Sequence, residues 1–243
     1  MHPVLIGCAG WGFHTRHAAL FPPGGSQLER YAQRFAMVEI NSSFYRPHMP
    51  ATYARWAAAT PAGFRFAVKV PRELTHTRRL AEPAAPLERF LSEAGALGAK
   101  LGPLLVQLPP SLRFDAGRAA EFFGALRQRF GGDVVCEPRH ASWFAAPAER
   151  LLAEWRVARV AADPAPAAGA GEPGGWPGLV YYRWHGSPQM YASAYPPAAL
   201  ARLAEQLCAA AAPAWCVLDN TAEGAATTNA LELIERVEET RKQ

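Results

Sequence analysis

Eight short runs of apolar, strand-type residues punctuate the chain, and each ends in a polar or glycine-bearing signal. They occupy residues 4–6, 38–41, 66–69, 104–107, 134–137, 157–162, 180–185 and 217–220, running into Gly7, Asn41, Lys69, Gln107, Glu137, Asp163, His185 and Asn220. Helical patterns fill the spaces between them, over residues 28–35, 51–59, 86–97, 115–130, 146–155, 197–212 and 225–239. Pro86, Pro147 and Pro197 suit first helical turns, where a missing N–H is tolerated, and Asp115 suits an N-cap. Phe122, Phe123, Leu126 and Phe130 recur at helical spacing and predict one apolar face.

Strands alternating with helices imply a parallel sheet, because parallel neighbours need a crossover and a helix is its usual form. About eight such units predict an α/β fold with a single TIM-type (β/α)8 barrel domain over residues 1–243, helices outermost. An open doubly wound sheet is the alternative, but the run Gly7-Cys8-Ala9-Gly10-Trp11-Gly12 lacks the GxGxxG spacing of a dinucleotide-binding turn. The stretch 164–178, rich in Pro, Ala and Gly, reads as a surface loop rather than a lid.

Side chains alternate faces along a strand, so register decides which polar groups converge. Parity places Glu39 with Asn41, Ala67 with Lys69, Leu105 with Gln107, Val135 with Glu137 and Arg139, Tyr181 with Arg183 and His185, and Leu218 with Asn220. That face turns polar only near each strand's C-terminal end, where barrel enzymes build their sites.

Composition narrows the classes. A chain of 243 residues, half of them hydrophobic, can bury a large core. The net charge of +4 permits an acidic partner, yet the basic residues are scattered, so nucleic acid is permitted without being indicated. Only three of the 25 basic residues are lysines, namely Lys69, Lys100 and Lys242. Cys8, Cys136, Cys208 and Cys216 have neither zinc-finger nor disulfide-framework spacing, which fits a reducing cytoplasm. No apolar run approaches membrane-span length, and Leu5-Ile6-Gly7-Cys8 lacks the flanks of an export signal.

Taken in order, several segments resemble the domain of unknown function 72, or YecE-like, family. They are Gly10-Trp11, Val38-Glu39-Ile40-Asn41-Ser42-Ser43-Phe44-Tyr45-Arg46, Val68-Lys69-Val70-Pro71 with Thr75-His76, Leu105-Val106-Gln107-Leu108-Pro109-Pro110, Glu137-Pro138-Arg139-His140-Ala141-Ser142-Trp143, Arg183-Trp184-His185-Gly186 and Asn220-Thr221. The likeness runs nearly end to end; it implies a TIM-type barrel and brings no reaction with it. Two departures stand out: Pro138 replaces the family's more usual aromatic, and Asp219-Asn220 replaces its usual Asn-Asn pair. Parity assigns both away from the pit.

Glu39, Lys69, Glu137 and His185 are the candidate catalytic residues. Asn41, Tyr45, His76, Gln107, Arg139, His140, Trp143, Asp163, Arg183, Tyr191 and Asn220 are the candidate substrate contacts. Glu39 and Glu137 suit a general acid and base pair if neighbours separate their pKa values, while Lys69 suits either a salt bridge or a Schiff base. Arg139 and Arg183 suit an anionic group. Three interleaved cations count against a divalent metal, so no metal and no cofactor are expected. Trp11, Tyr45, Trp143, His140 and Tyr191 read equally as ring-stacking groups or as loop packing. The expected function is acid/base chemistry of hydrolase, lyase or isomerase type on a small polar or anionic molecule; the alternatives are a nucleic-acid-processing barrel and a non-catalytic ligand-binding or interaction protein.

Overall fold

The computed structural model of the chain describes residues 2–242. Its elements run β1 (Val4–Cys8), α1 (Gln27–Tyr31), β2 (Met37–Ile40), α2 (Pro50–Ala58), β3 (Arg65–Lys69), α3 (Ala84–Ala94), β4 (Leu101–Gln107), α4 (Ala116–Arg127), β5 (Val134–Glu137), α5 (Ala146–Glu154), β6 (Val157–Arg159), β7 (Ala161–Asp163), β8 (Gly174–Gly175), β9 (Val180–Trp184), α6 (Pro197–Cys208), β10 (Ala214–Leu218) and α7 (Ala225–Thr240). All seven expected helices form. Asp115 caps α4 by accepting from the Arg118 N–H at 2.8 Å, and Pro147 and Pro197 sit in first turns. Helix α3 starts at Ala84, before the expected Pro86, which becomes the third helical residue. Its missing N–H would have had no partner there in any case.

The strands form two sheets, in the orders β1-β10-β9-β7 and β2-β3-β4-β5-β6-β8. Every pairing is parallel except that of the two-residue β8 with β6. The expected strand over 157–162 is therefore split. Its first part pairs with β5 and its second with β9, with Val160 between them donating to Cys136 O at 2.9 Å. At the other seam, Ala9 and Glu39 form a single parallel bridge and the Gly10 N–H donates to Glu39 O at 2.9 Å.

Two apolar layers follow from the strand alternation. Ile6, Val38, Ile40, Val68, Leu104, Val106, Cys216 and Leu218 pack outward against the helices, in a cluster that includes Leu87, Phe122, Leu203 and Leu233. Met37, Ala67, Leu105, Val135, Val160, Tyr181, Trp215 and Val217 form a smaller cluster on the opposite face, to which both sheets contribute. Gly7 allows β1 to approach closely, because a Cβ there would lie 2.9 Å from the Tyr31 hydroxyl and against Met37. One crossover breaks the pattern: between β7 and β9 the chain makes no helix, only the loop containing β8. Among the described residues no helix is long and apolar enough to cross a membrane.

Candidate functional site

The inner cluster stops short of the strands' C-terminal ends, where charge replaces it. Arg183, one residue before the end of β9, is 1% exposed and sits at the centre. Its Nη2 lies 2.8 Å from Glu39 Oε1 and 3.0 Å from Asp219 Oδ2, and its Nη1 lies 3.2 Å from Glu137 Oε2. The Tyr181 hydroxyl, two residues earlier on the same face, donates to Glu39 Oε2 at 2.9 Å. His185 is fully buried between two acids, with Nδ1 2.9 Å from Asp219 Oδ2 and Nε2 2.9 Å from Glu137 Oε1. The same Nε2 also lies 3.1 Å from Arg139 Nη2, and the same Nδ1 3.4 Å from Arg183 Nη1, so the imidazole is wedged among two acids and two guanidinium groups. Arg139 closes the cluster, 2.6 Å from Glu137 Oε1.

This network fixes protonation states. Burial alone would push the Glu137 carboxyl up, but Arg183, His185 and Arg139 overcome it and hold the group well below the ordinary carboxylate range. Asp219 behaves alike: burial opposes ionisation, and Arg183 with His185 outweighs it. Burial would weaken the Arg183 cation, yet Asp219, Glu39 and Glu137 raise its pKa further. Glu137 and Asp219 are thereby held ionised at neutral pH.

Lys69 stands beside this network and apart from it. It ends β3 and is 6% exposed. Its Nζ lies 4.1 Å from the centroid of the Phe44 ring, and it makes no ion pair with any described carboxylate. Burial first, and the Arg183 charge second, lower its pKa to about 8. The same Phe44 ring meets His76 edge-on with centroids 5.0 Å apart. Burial, with Lys69, Arg72 and Arg139 nearby, lowers the His76 pKa to about 4, so this imidazole is neutral at pH 7. Its Nδ1 lies 2.9 Å from the Thr75 hydroxyl.

Residues 5–243 match the family described as "Protein of unknown function DUF72". The chain belongs to that family. UPF0759 protein YunF of Bacillus subtilis strain 168 is 28% identical over 155 residues, 59% of this DUF72 chain and 53% of that protein. UPF0759 protein YecE of Escherichia coli strain K12 is 30% identical over 143 residues, 58% of this chain and 50% of that one. The chain thus spans about half the length of the curated relatives it matches. A DUF72 crystal structure from Enterococcus faecalis V583 superposes with a TM-score of 0.81 at 21% identity, covering 97% of this chain and 95% of that one. Another from Thermotoga maritima MSB8 gives 0.79 at 23%, covering 98% and 100%. At such identities the likeness is one of fold.

Of the residues singled out in the sequence, the DUF72 fold brings Glu39, Glu137, Arg139, Arg183 and His185 into one bonded network, with Lys69 and His76 beside it. Gln107 pairs in register with Glu137, but its amide donates to Leu108 O at 2.9 Å. Asn41 follows β2 half-buried, with an Oδ1 that is buried and has no partner. Tyr191 is partly exposed and meets the His185 ring edge-on at 5.6 Å. Tyr45 is 75% exposed on the loop after β2.

Four expectations are corrected. Asn220 faces away from the network: its Nδ2 donates to Ser193 O at 2.9 Å and to Asn229 Oδ1 at 3.0 Å, tying the loop after β9 to α7. Asp219 points inward in its place. The run 214–218 is buried on both faces, so alternation gave no phase; pairing of Val217 with Arg183 sets it, and parallel neighbours share a face. Asp163 shares the outward side with Ala161, of the helix-facing cluster, and accepts from the Tyr195 hydroxyl at 2.7 Å. Trp143 is a buried loop anchor whose indole donates to Leu112 O at 3.0 Å and packs edge-on against Phe114. His140 caps the turn at Ala141–Phe144, accepting from the Ser142 N–H at 3.1 Å. Trp11, similarly, packs against Trp56 at 4.9 Å. Besides Asp219, the sequence expectation omits Tyr181, although parity places it on the right face, and Phe44, an apolar residue four positions beyond the end of β2.

Among the described residues no group of three or more His, Cys, Asp or Glu side chains is arranged to hold a metal ion. Arg183 lies between the three acids that would otherwise converge. The arrangement offers instead a preorganised field of fixed charge with one amine that changes protonation near pH 8.

Proposed function

We propose that the two sheets form a single TIM-type barrel domain, and that this DUF72 chain is an enzyme performing acid/base chemistry on a small polar or anionic substrate at the strands' C-terminal ends. One observation carries the reading: a buried lysine without an ion pair stands beside a network in which every carboxylate already has a cationic partner. A buried amine without a carboxylate partner is costly to keep charged and has the pKa of a usable base, about 8. Lys69 takes the substrate proton, Arg139 holds an anionic substituent at the accessible edge of the network, and the neutral His76 hydrogen-bonds a polar group. The Arg183 network sets the field in which charge develops.

The test is thermal-shift screening of small phosphates, carboxylates and sugar phosphates at low salt, on the wild type and on Lys69→Met and Arg139→Gln. A stabilising ligand that both variants fail to bind, and whose conversion rises with pH through about 8, supports the reading. A silent panel, or a shift that survives both substitutions, overturns it.

A further inference from the structure

A well-formed cavity lies away from the charged network. It has a volume of about 460 Å³ and lies on the outer side of β7 and β9, against α6, where the crossover between those strands makes no helix. A crossover helix would ordinarily cover the outward faces of such strands. Here Ala162, Tyr182 and Trp184 are left lining an open space with the first turns of α6 opposite. The volume falls within the range of small-molecule sites, roughly 300 to 1,000 Å³.

The lining is chemically specific. Asp163 and Arg202 both border the cavity, and neither makes an ion pair with any described residue. Asp163 Oδ1 accepts from the Tyr195 hydroxyl, and that hydroxyl in turn accepts from the Gly186 N–H at 2.8 Å, so the carboxylate is held in place while Oδ2 has no partner. The Tyr195 and Trp184 rings pack with centroids 4.4 Å apart, building an aromatic wall beside the acid. Asp163 is half-buried and Arg202 exposed at the cavity's rim, so an acid and a guanidinium not paired with each other both face the same space and can each take a complementary charge.

We infer that this cavity binds a free α-amino acid with an aromatic or large apolar side chain: its ammonium on Asp163, its carboxylate on Arg202, and its side chain against Tyr182 and Trp184. An ammonium beside aromatic faces gains a further cation–π attraction, and a planar guanidinium matches a carboxylate with two parallel hydrogen bonds. The site is separate from the Lys69 network and does not depend on the reaction proposed there.

Isothermal titration calorimetry with L-phenylalanine, L-phenylalanine amide and N-acetyl-L-phenylalanine tests the inference on the whole chain. The expected result is binding of the zwitterion, with each singly charged analogue weaker by about tenfold or more. Asp163→Asn keeps an acceptor for Tyr195 and is expected to abolish the discrimination against the N-acetyl compound; Arg202→Gln is expected to abolish that against the amide. Lys69→Met is expected to leave all three affinities unchanged. No binding of any of the three at millimolar concentrations, equal affinity for zwitterion and analogues, or affinities indifferent to both cavity substitutions would overturn it.

Discussion

Arg183 and Lys69 stand on the same polar face at the ends of strands from different sheets, β9 and β3, and they solve burial in opposite ways. Arg183 has three carboxylates within hydrogen-bonding distance and is a stronger cation for it. Lys69 has an aromatic face and no carboxylate partner, and is a weaker cation for it. Withdrawing a charge from water costs several kcal/mol unless paired, so the first arrangement holds a rigid field in place and the second keeps one group near its titration point. Within one site, the network serves placement and the lysine serves chemistry.

The largest effect should come from breaking the paired side. Arg183→Met leaves Glu39, Glu137 and Asp219 buried without their central cation, and a loss of about 3–5 kcal/mol is expected, read as a lower urea midpoint. Full stability in that variant would mean that the three acids hold themselves by other contacts.

On the unpaired side the sign reverses. The Lys69 pKa falls from its ordinary 10.5 to about 8 on folding, so between those values the unfolded chain binds the extra proton. Wild-type stability is therefore expected to gain on the order of 3 kcal/mol from this group as pH rises from 8 to 10.5, against any general alkaline loss. Subtracting the stability curve of Lys69→Met isolates that rise, and the variant itself should be at least as stable as the wild type at pH 7 while losing ligand binding. Matching curves for the two proteins would show that Lys69 is solvated after all.

At the acid end the network dominates. Glu137 and Asp219 are held below their ordinary values of 4.5 and 3.8, so their contribution is complete above those values and is lost as pH falls through the lower folded ones. Asp219→Asn should flatten the acid limb of a pH titration of stability followed by circular dichroism. An acid limb unchanged by Asp219→Asn would remove Asp219 from the network. The smallest effect is expected at the loop that only resembles part of the site. His140→Ala removes a cap and should cost about 1 kcal/mol without altering ligand affinity; lost affinity would return His140 to the site.

Much of the fold was legible because its elements announce themselves locally. All seven helices carry their own caps, prolines or apolar stripes, as Asp115, Pro147 and Pro197 illustrate. Glu39, Lys69, Glu137, Arg139, Arg183 and His185 were legible too, since polar residues interrupting the inward phase of a buried strand have few other reasons to be there. Asp219 was not, because a run buried on both faces has no alternation to read. Asp163 was not either: the strand that contains it changes partners at Val160, and its outward phase is visible only once Ala161 is seen against the helices.

The sequence by itself determined which residues would be drawn to the strand ends, because periodicity and burial are local properties of a few consecutive side chains. Only the tertiary structure decided how those charges were shared out. Ion pairing depends on distances of a few ångströms between strands far apart in the chain, and those distances gave Arg183 all three acids and left Lys69 with none.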